Sequence, residues 1–340
     1  MKKNILMMVF TVIVLFGGVI AWLYHSNDSL ENVSANSDIA HLTKLAEQGD
    51  MKAQTDLGLA YGSGNSMPQD YTKAMYWYNQ AAKQGYAPAQ FNLGLFYENG
   101  WGGSRDLQLA KEFYRKAANQ GFTNAQINLG ILFMDGKGGG IDYVQARKLF
   151  IKAAESNNPV AIYNLGHIYN YGLGIPRDDV QAATWYSKAE DLGSMSARNS
   201  LALFYAKGLG NLPVDRNKAL KLLNISACQG YAVAQNNLGI LYSDGTDELS
   251  KDYQQSYAWF SVAFYNGFKE ADTSRNVIMG KLETKEIEKA KALSTEYIEK
   301  YHTNLNGDEG VLEILCHSSN IQSKRNDTCP SPSISIKRLR

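Results

Sequence analysis

From residue 53 on, apolar and polar positions follow one pattern that returns about every 36 residues. Written from the alanine that opens each copy, the stretches are AQTDLGLAYGSG (Ala53), AQFNLGLFYENG (Ala89) and AQINLGILFMDG (Ala125), then AIYNLGHIYNYG (Ala161), ARNSLALFYAKG (Ala197) and AQNNLGILYSDG (Ala234). Alanine, leucine and an aromatic recur at i, i+4 and i+8, as in Ala89, Leu93 and Tyr97, which is one face of a helix. A second stripe, spaced three then four, predicts a second helix: Ala74/Trp77/Ala81, Ala110/Phe113/Ala117, Ala146/Leu149/Ala153, Ala182/Trp185/Ala189, Ala219/Leu222/Ser226 and Ser256/Trp259/Ala263.

The residues between the stripes have their own assignments. A glycine-rich turn follows the first helix and ends in Asp70, Asp106, Asp142, Asp178, Asp215 or Asp252, each placed to accept bonds from free helical N–H groups. Gly85, Gly121, Gly193, Gly230 and Gly267, with Asn157 in the third copy, suit the left-handed residue that ends a helix. Gly58, Gly94, Gly130, Gly166 and Gly239 stand in mid-helix, where glycine costs up to about 1 kcal/mol relative to alanine. Their recurrence predicts close approach of a second helix; Ala202 is the departure. Two short helices cannot bury their apolar faces alone, so the copies must stack.

Five regions follow. Residues 1–25 form an anchor or signal segment, 26–38 a polar tether, 39–270 the repeats, 271–301 two capping helices, and 302–340 a partly disordered tail. Residues 38–49 are expected to supply the second helix of an incomplete first copy. Residues 271–301 lack the Leu-Gly pair and the glycine-rich turn, with Thr284 and Glu288 near the start of their second helix. At the amino terminus, residues 5–24 carry no charge, follow Lys2 and Lys3, and end with Trp22 and Tyr24. Twenty helical residues rise about 30 Å, enough to cross a hydrocarbon core. Two readings stay open: a single-pass inner-membrane anchor with a cytoplasmic amino terminus, or a signal peptide cleaved near Val19-Ile20-Ala21. Both place the rest of the chain outside the cytoplasm, in the periplasm of a Gram-negative cell.

Composition narrows the function classes. With 34 basic and 33 acidic residues the chain lacks the basic stripe of a nucleic-acid binder. Three cysteines exclude a disulfide-dense scaffold; Cys316 and Cys329 are candidates for one bridge, and Cys228 reads as a small buried apolar group. The histidines are scattered, so no metal site is expected, and no cofactor is. Gly136-Lys137-Gly138 lacks the outer glycine spacing and the hydroxyl residue of a phosphate loop. No catalytic constellation is found, which sets aside an enzyme such as a cell-wall hydrolase.

The unit A-x3-LG-x2-Y-x2-G-x6-D-x3-A-x2-W-x3-AA-x2-G resembles the Sel1-like repeat, a relative of the tetratricopeptide repeat, over six consecutive copies. The resemblance implies an all-α, right-handed superhelical solenoid of antiparallel helix pairs, its concave face lined by the first helix of each pair. It implies protein or peptide binding rather than catalysis. The expectation is a membrane-tethered extracytoplasmic interaction scaffold. One alternative is a periplasmic immunity protein that sequesters a secreted phospholipase-type toxin. Another is a quality-control adaptor in a secretory membrane, for which the sequons at Asn27, Asn32, Asn224 and Asn326 would carry glycans.

By the same analogy the groove candidates are Phe91, Leu95, Glu98, Ile127, Ile131, Met134, Tyr163, His167, Asn170, Asn199 and Leu203. His167 stands out because it breaks a row otherwise made of Leu59, Leu95, Ile131, Leu203 and Ile240. Packing of that row between neighbouring copies is the alternative. Asp56, Asn92, Asn128, Asn164, Ser200 and Asn237, just before the leucine, are expected to bond within each copy.

Overall fold

The computed structural model describes residues 35–64, 67–246 and 249–302, with side chains from residue 39 on. Among these residues there are fifteen helices and no strand. They are α1 (Ala35–Glu47), α2 (Met51–Ser63), α3 (Tyr71–Lys83), α4 (Ala87–Asn99), α5 (Leu107–Asn119), α6 (Thr123–Asp135), α7 (Tyr143–Ala154) and α8 (Pro159–Tyr171). Then follow α9 (Asp179–Asp191), α10 (Met195–Lys207), α11 (Arg216–Cys228), α12 (Ala232–Asp244), α13 (Tyr253–Tyr265), α14 (Ala271–Met279) and α15 (Thr284–Tyr301). The chain forms two compact units, one ending at Ala161 and one starting at Ile162. The helix α1 begins at Ala35, inside the segment read as a polar tether. No helix of the described residues is long and apolar enough to cross a membrane, and residues 5–24 lie outside them.

Each repeat is closed by the aspartate before its second helix. The Asp106 carboxylate accepts from the amides of Gln108 and Leu109 at 2.9 and 3.0 Å, and the other five aspartates cap their helices alike. The same residue's own N–H donates to the aromatic residue of the first helix: Asp70 to Tyr61, Asp106 to Tyr97, Asp142 to Phe133, Asp178 to Tyr169, Asp215 to Tyr205 and Asp252 to Tyr242, each at 2.9 Å. One residue thus fixes both the helix start and the fold-back of the pair. The helix-ending glycines and Asn157 have the expected positive φ.

In the first four copies the second-helix core differs from the predicted stripe by one residue, whereas the predicted Leu222 and Trp259 of the last two copies are buried. The large side chain at its centre is Tyr78, Tyr114, Phe150, Tyr186, Leu223 or Phe260, each 5% exposed or less. Trp77, Phe113, Leu149 and Trp185 are only half-buried. These central rings explain the mid-helix glycines. A Cβ on Gly58, Gly130, Gly166 or Gly239 would lie 2.6 to 2.8 Å from a carbon of Tyr78, Phe150, Tyr186 or Phe260, and one on Gly94 would overlap Tyr114. The close approach is that of a ring to backbone. In the fifth copy, where alanine (Ala202) replaces the glycine, leucine (Leu223) replaces the ring.

One of these tyrosines also joins neighbouring copies. The Tyr114 hydroxyl donates to Glu98 Oε2 (2.7 Å) in its own copy and accepts from Asn128 Nδ2 (3.3 Å) in the next. Asn237 Nδ2 donates to Asn199 Oδ1 of the preceding copy at 2.9 Å. The polar row before the leucine therefore bonds between copies at these points, not within them as expected. Tyr78 Oη is buried with no hydrogen-bond partner among the described residues. Tyr78→Phe is thus expected to raise stability by about 1 kcal/mol, and Tyr114→Phe to lower it by about 1 kcal/mol or more. Urea midpoints of the two variants check this; equal shifts of one sign refute it.

A glutamine clasp adds to the stacking. Gln120 Nε2 donates to Gln90 Oε1 (2.8 Å) and Gly85 O (2.9 Å), and Gln84 Nε2 to Gln54 Oε1 (2.9 Å) and Gly49 O (3.1 Å). In the second unit Asn266 takes this role, donating to Gln235 Oε1 at 2.8 Å.

Candidate interaction surface

The groove candidates divide between interior and surface. In the first unit Phe91, Leu95 and Ile127 are 3%, 5% and 0% exposed. Phe91 packs against Tyr114 and Phe122, with ring centroids 5.7 and 5.2 Å apart. These three are core residues and do not line a groove, a correction that follows from their filling the space between stacked pairs. Ile131 and Met134 are half-buried, and Glu98 is engaged by Tyr114.

The second unit presents the same registers differently. Tyr163, His167, Asn170 and Asn199 are half-buried, and Leu203 is 47% exposed. Ile240, which occupies the Leu203 register in the next copy, is 42% exposed. The Asn199–Asn237 hydrogen bond ties α10 to α12. One helical turn beyond that bond, Leu203 and Ile240 stand on the same face. On α8, the His167 ring lies 4.5 Å from that of Tyr171, which is 64% exposed. Asn170 Nδ2 donates to the Tyr186 hydroxyl at 3.4 Å, and burial pushes that phenol up to about 12. Burial also holds the His167 imidazole below its ordinary value, so it is neutral at pH 7.

The chemistry of this face is that of contact. It carries aliphatic and aromatic side chains, amides and one neutral imidazole. Among the described residues no group of three or more His, Cys, Asp or Glu could hold a metal ion. Sequence reasoning placed Ile240 in the Leu203 row but missed Tyr171, which lies four residues beyond that row's position in its own copy. Cys228 is disulfide-bonded, not simply a small packing group. Cys316 and Cys329, expected to pair with each other, lie outside the described residues.

The sequence model of the Sel1 repeat matches residues 52–86, 87–122, 123–158, 159–194, 196–231 and 232–268. The chain belongs to the Sel1 repeat family. A Sel1 repeat protein from Oxalobacter formigenes of known structure is similar to it at 31% identity and a TM-score of 0.62, covering 68% of this chain and 97% of its own. A protective antigen of uropathogenic Escherichia coli strains shares the fold at 23% identity and a TM-score of 0.50, over 85% of this chain and 98% of its own. An immunity protein from Pseudomonas aeruginosa aligns at 21% identity and a TM-score of 0.42, over 63% of this chain and 81% of its own, too low to bear on function. No curated protein matches the chain in sequence. Sel1 repeats are in general interaction scaffolds rather than catalysts, and the stacked helix pairs described above are of that kind.

Proposed function

We propose that this Sel1 repeat protein is a membrane-tethered, extracytoplasmic scaffold that binds a protein partner through the first-helix face of its second unit. The observation that carries the reading is the pair Leu203 and Ile240, 47% and 42% exposed in one register of adjacent first helices. Exposed aliphatic side chains held in register on rigid helices suit an apolar anchor on a protein partner. The disulfide at Cys228 supports an oxidising compartment, and the uncharged residues 5–24 support a tether or export signal.

Affinity capture with the full chain, followed by mass spectrometry, tests the surface. Leu203→Asp with Ile240→Asp is expected to weaken capture at least about tenfold, since truncating or charging a buried anchor costs more than 1 kcal/mol. The far-UV spectrum should be unchanged because both residues are already exposed. Val144→Asp, at a residue 49% exposed on a second helix of the first unit, is the control. Undiminished capture by the double variant would place the site elsewhere. A secreted phospholipase-type toxin is the sharper partner that the family resemblance admits. Co-expression with such a toxin should protect the cell, and absence of protection sinks that identity without touching the scaffold reading.

A further inference from the structure

The first unit buries a charged side chain. Counting five residues on from each capping aspartate gives Met75, Lys111, Arg147, Ala183, Leu220 and Tyr257, so Lys111 of α5 holds a place that is uncharged in four of the six copies. It is 7% exposed, and lysine is rarely so buried without a carboxylate partner. Its ammonium lies 4.1 Å from the centroid of the Phe133 ring and has no ion pair or hydrogen bond among the described residues. The ring face attracts the cation but offers its three N–H groups no oxygen. Burial and the neighbouring Arg115 hold the ammonium below its ordinary value, against the pull of Asp142. An anion set beside it would offset what burial costs the charge.

The turn of the next copy leaves the ammonium within reach. Counting back three residues from each capping aspartate gives Met67, Gly103, Gly139, Ile175, Leu212 and Leu249. The four with apolar side chains are buried or half-buried. Gly139 has no side chain, and the Lys111 ammonium comes up beside it: a Cβ there would lie 3.3 Å from Nζ. Gly139 and Gly140 are exposed, so the approach to the ammonium runs past bare backbone. The N–H groups of Gly138, Gly139 and Gly140 donate to no backbone oxygen of the described residues. Other charges around the turn are engaged. Lys137 pairs with Asp135 at 2.9 Å and Lys116 with Glu112 at 2.6 Å, while Asp142 accepts from the Gln145 amide at 3.0 Å. Arg115, one helical turn beyond Lys111, is exposed and has no ion pair among the described residues.

We propose that Lys111, Arg115 and the amides of Gly138, Gly139 and Gly140 form a binding site for a small tetrahedral oxyanion, a phosphoryl group either free or carried by a partner. Donors supplied by a helix on one side and a glycine turn on the other suit an ion with oxygens on every side better than a planar carboxylate. The site lies in the first unit and does not depend on the partner face of the second.

The test is calorimetric titration of the full chain with inorganic phosphate, at constant ionic strength set with sodium chloride. Saturable binding of one phosphate per chain is expected. It should weaken at least about tenfold in Lys111→Met, which keeps an apolar stem over Phe133 and removes the charge. O-Phosphoserine separates the sources: binding at least as tight as that of phosphate assigns the site to a phosphorylated partner, and weaker binding assigns it to the free ion. No saturable binding of phosphate, undiminished binding by Lys111→Met, or acetate bound as tightly as phosphate would each overturn the proposal. Amide exchange in the parent chain keeps the test independent of how the variant folds. Saturating phosphate is expected to slow exchange at Gly138, Gly139 and Gly140 at least about fivefold and to leave Gly102 and Gly103 of the preceding turn unchanged. Equal effects at the two turns, or none at either, would overturn the site.

Discussion

Replacing Gly239 by alanine is expected to lower the stability of the second unit by about 2 kcal/mol, although the same change in an unobstructed helix raises it by about 1 kcal/mol. The sign is set by the Phe260 ring. An added Cβ would sit 2.6, 2.7 and 2.9 Å from Cδ1, Cε1 and Cγ of Phe260, which is 2% exposed and held in a cluster with Tyr257, Ala263, Ala271, Ile278 and Ala290. A ring packed on all sides cannot turn away, and overpacking of this kind typically costs 1–3 kcal/mol, occasionally more. Phe260→Leu alone leaves a cavity and is also destabilising. Combined, the two changes reproduce the alanine–leucine pair that the preceding copy already carries as Ala202 and Leu223. The double variant is therefore expected to be more stable than the sum of the single losses predicts, by about 2 kcal/mol. Urea unfolding of the four proteins measures the coupling, and additive midpoints would show that ring and glycine are independent.

The fold was legible because its signals repeat. Asp106 or Gly121 alone is a weak sign of a helix boundary, but six aspartates and five glycines in one register leave no other arrangement. Periodicity also showed that the mid-helix glycines mark a close contact. It did not show with what, because Tyr78 and Tyr114 directly follow Trp77 and Phe113, and a stripe read by spacing cannot tell which of two adjacent aromatics turns inward. The surface was less legible for a related reason. Leu95 and Leu203 have the same identity and the same register, yet one is 5% and the other 47% exposed. Exposure there depends on the side chains that neighbouring copies bring against the position. The Gln90–Gln120 clasp was missed although its glutamines recur with the repeat, because recurrence does not show which recurring side chain each one bonds.

The second large effect is expected at the end of the second unit. Trp259→Ala should cost about 3–5 kcal/mol, the range for removing a fully buried large aromatic side chain. Trp259 is 2% exposed, with the Tyr301 ring stacked on it at 5.3 Å and the Tyr297 ring at 4.9 Å. Tyr297 donates its hydroxyl to Gln255 Oε1 at 2.7 Å, which fixes α15 along α13. The Tyr301 carbonyl accepts from Asn266 Nδ2 at 3.0 Å as well as from Gln235. Losing the indole therefore unseats the helix that satisfies two buried amides, beyond the cavity itself. In a stacked repeat each pair is held mainly by its neighbours, so the loss should be local first. Amide exchange is expected to accelerate in α12, α13 and α15 before it does in α2 to α7. Because α12 carries Ile240, Trp259→Ala should also weaken partner capture at temperatures where this end frays, although Trp259 is buried away from solvent. Capture unaffected by that fraying would mean that the α12 face is not part of the binding surface, and a cost below about 1 kcal/mol would mean that α15 does not cap the stack.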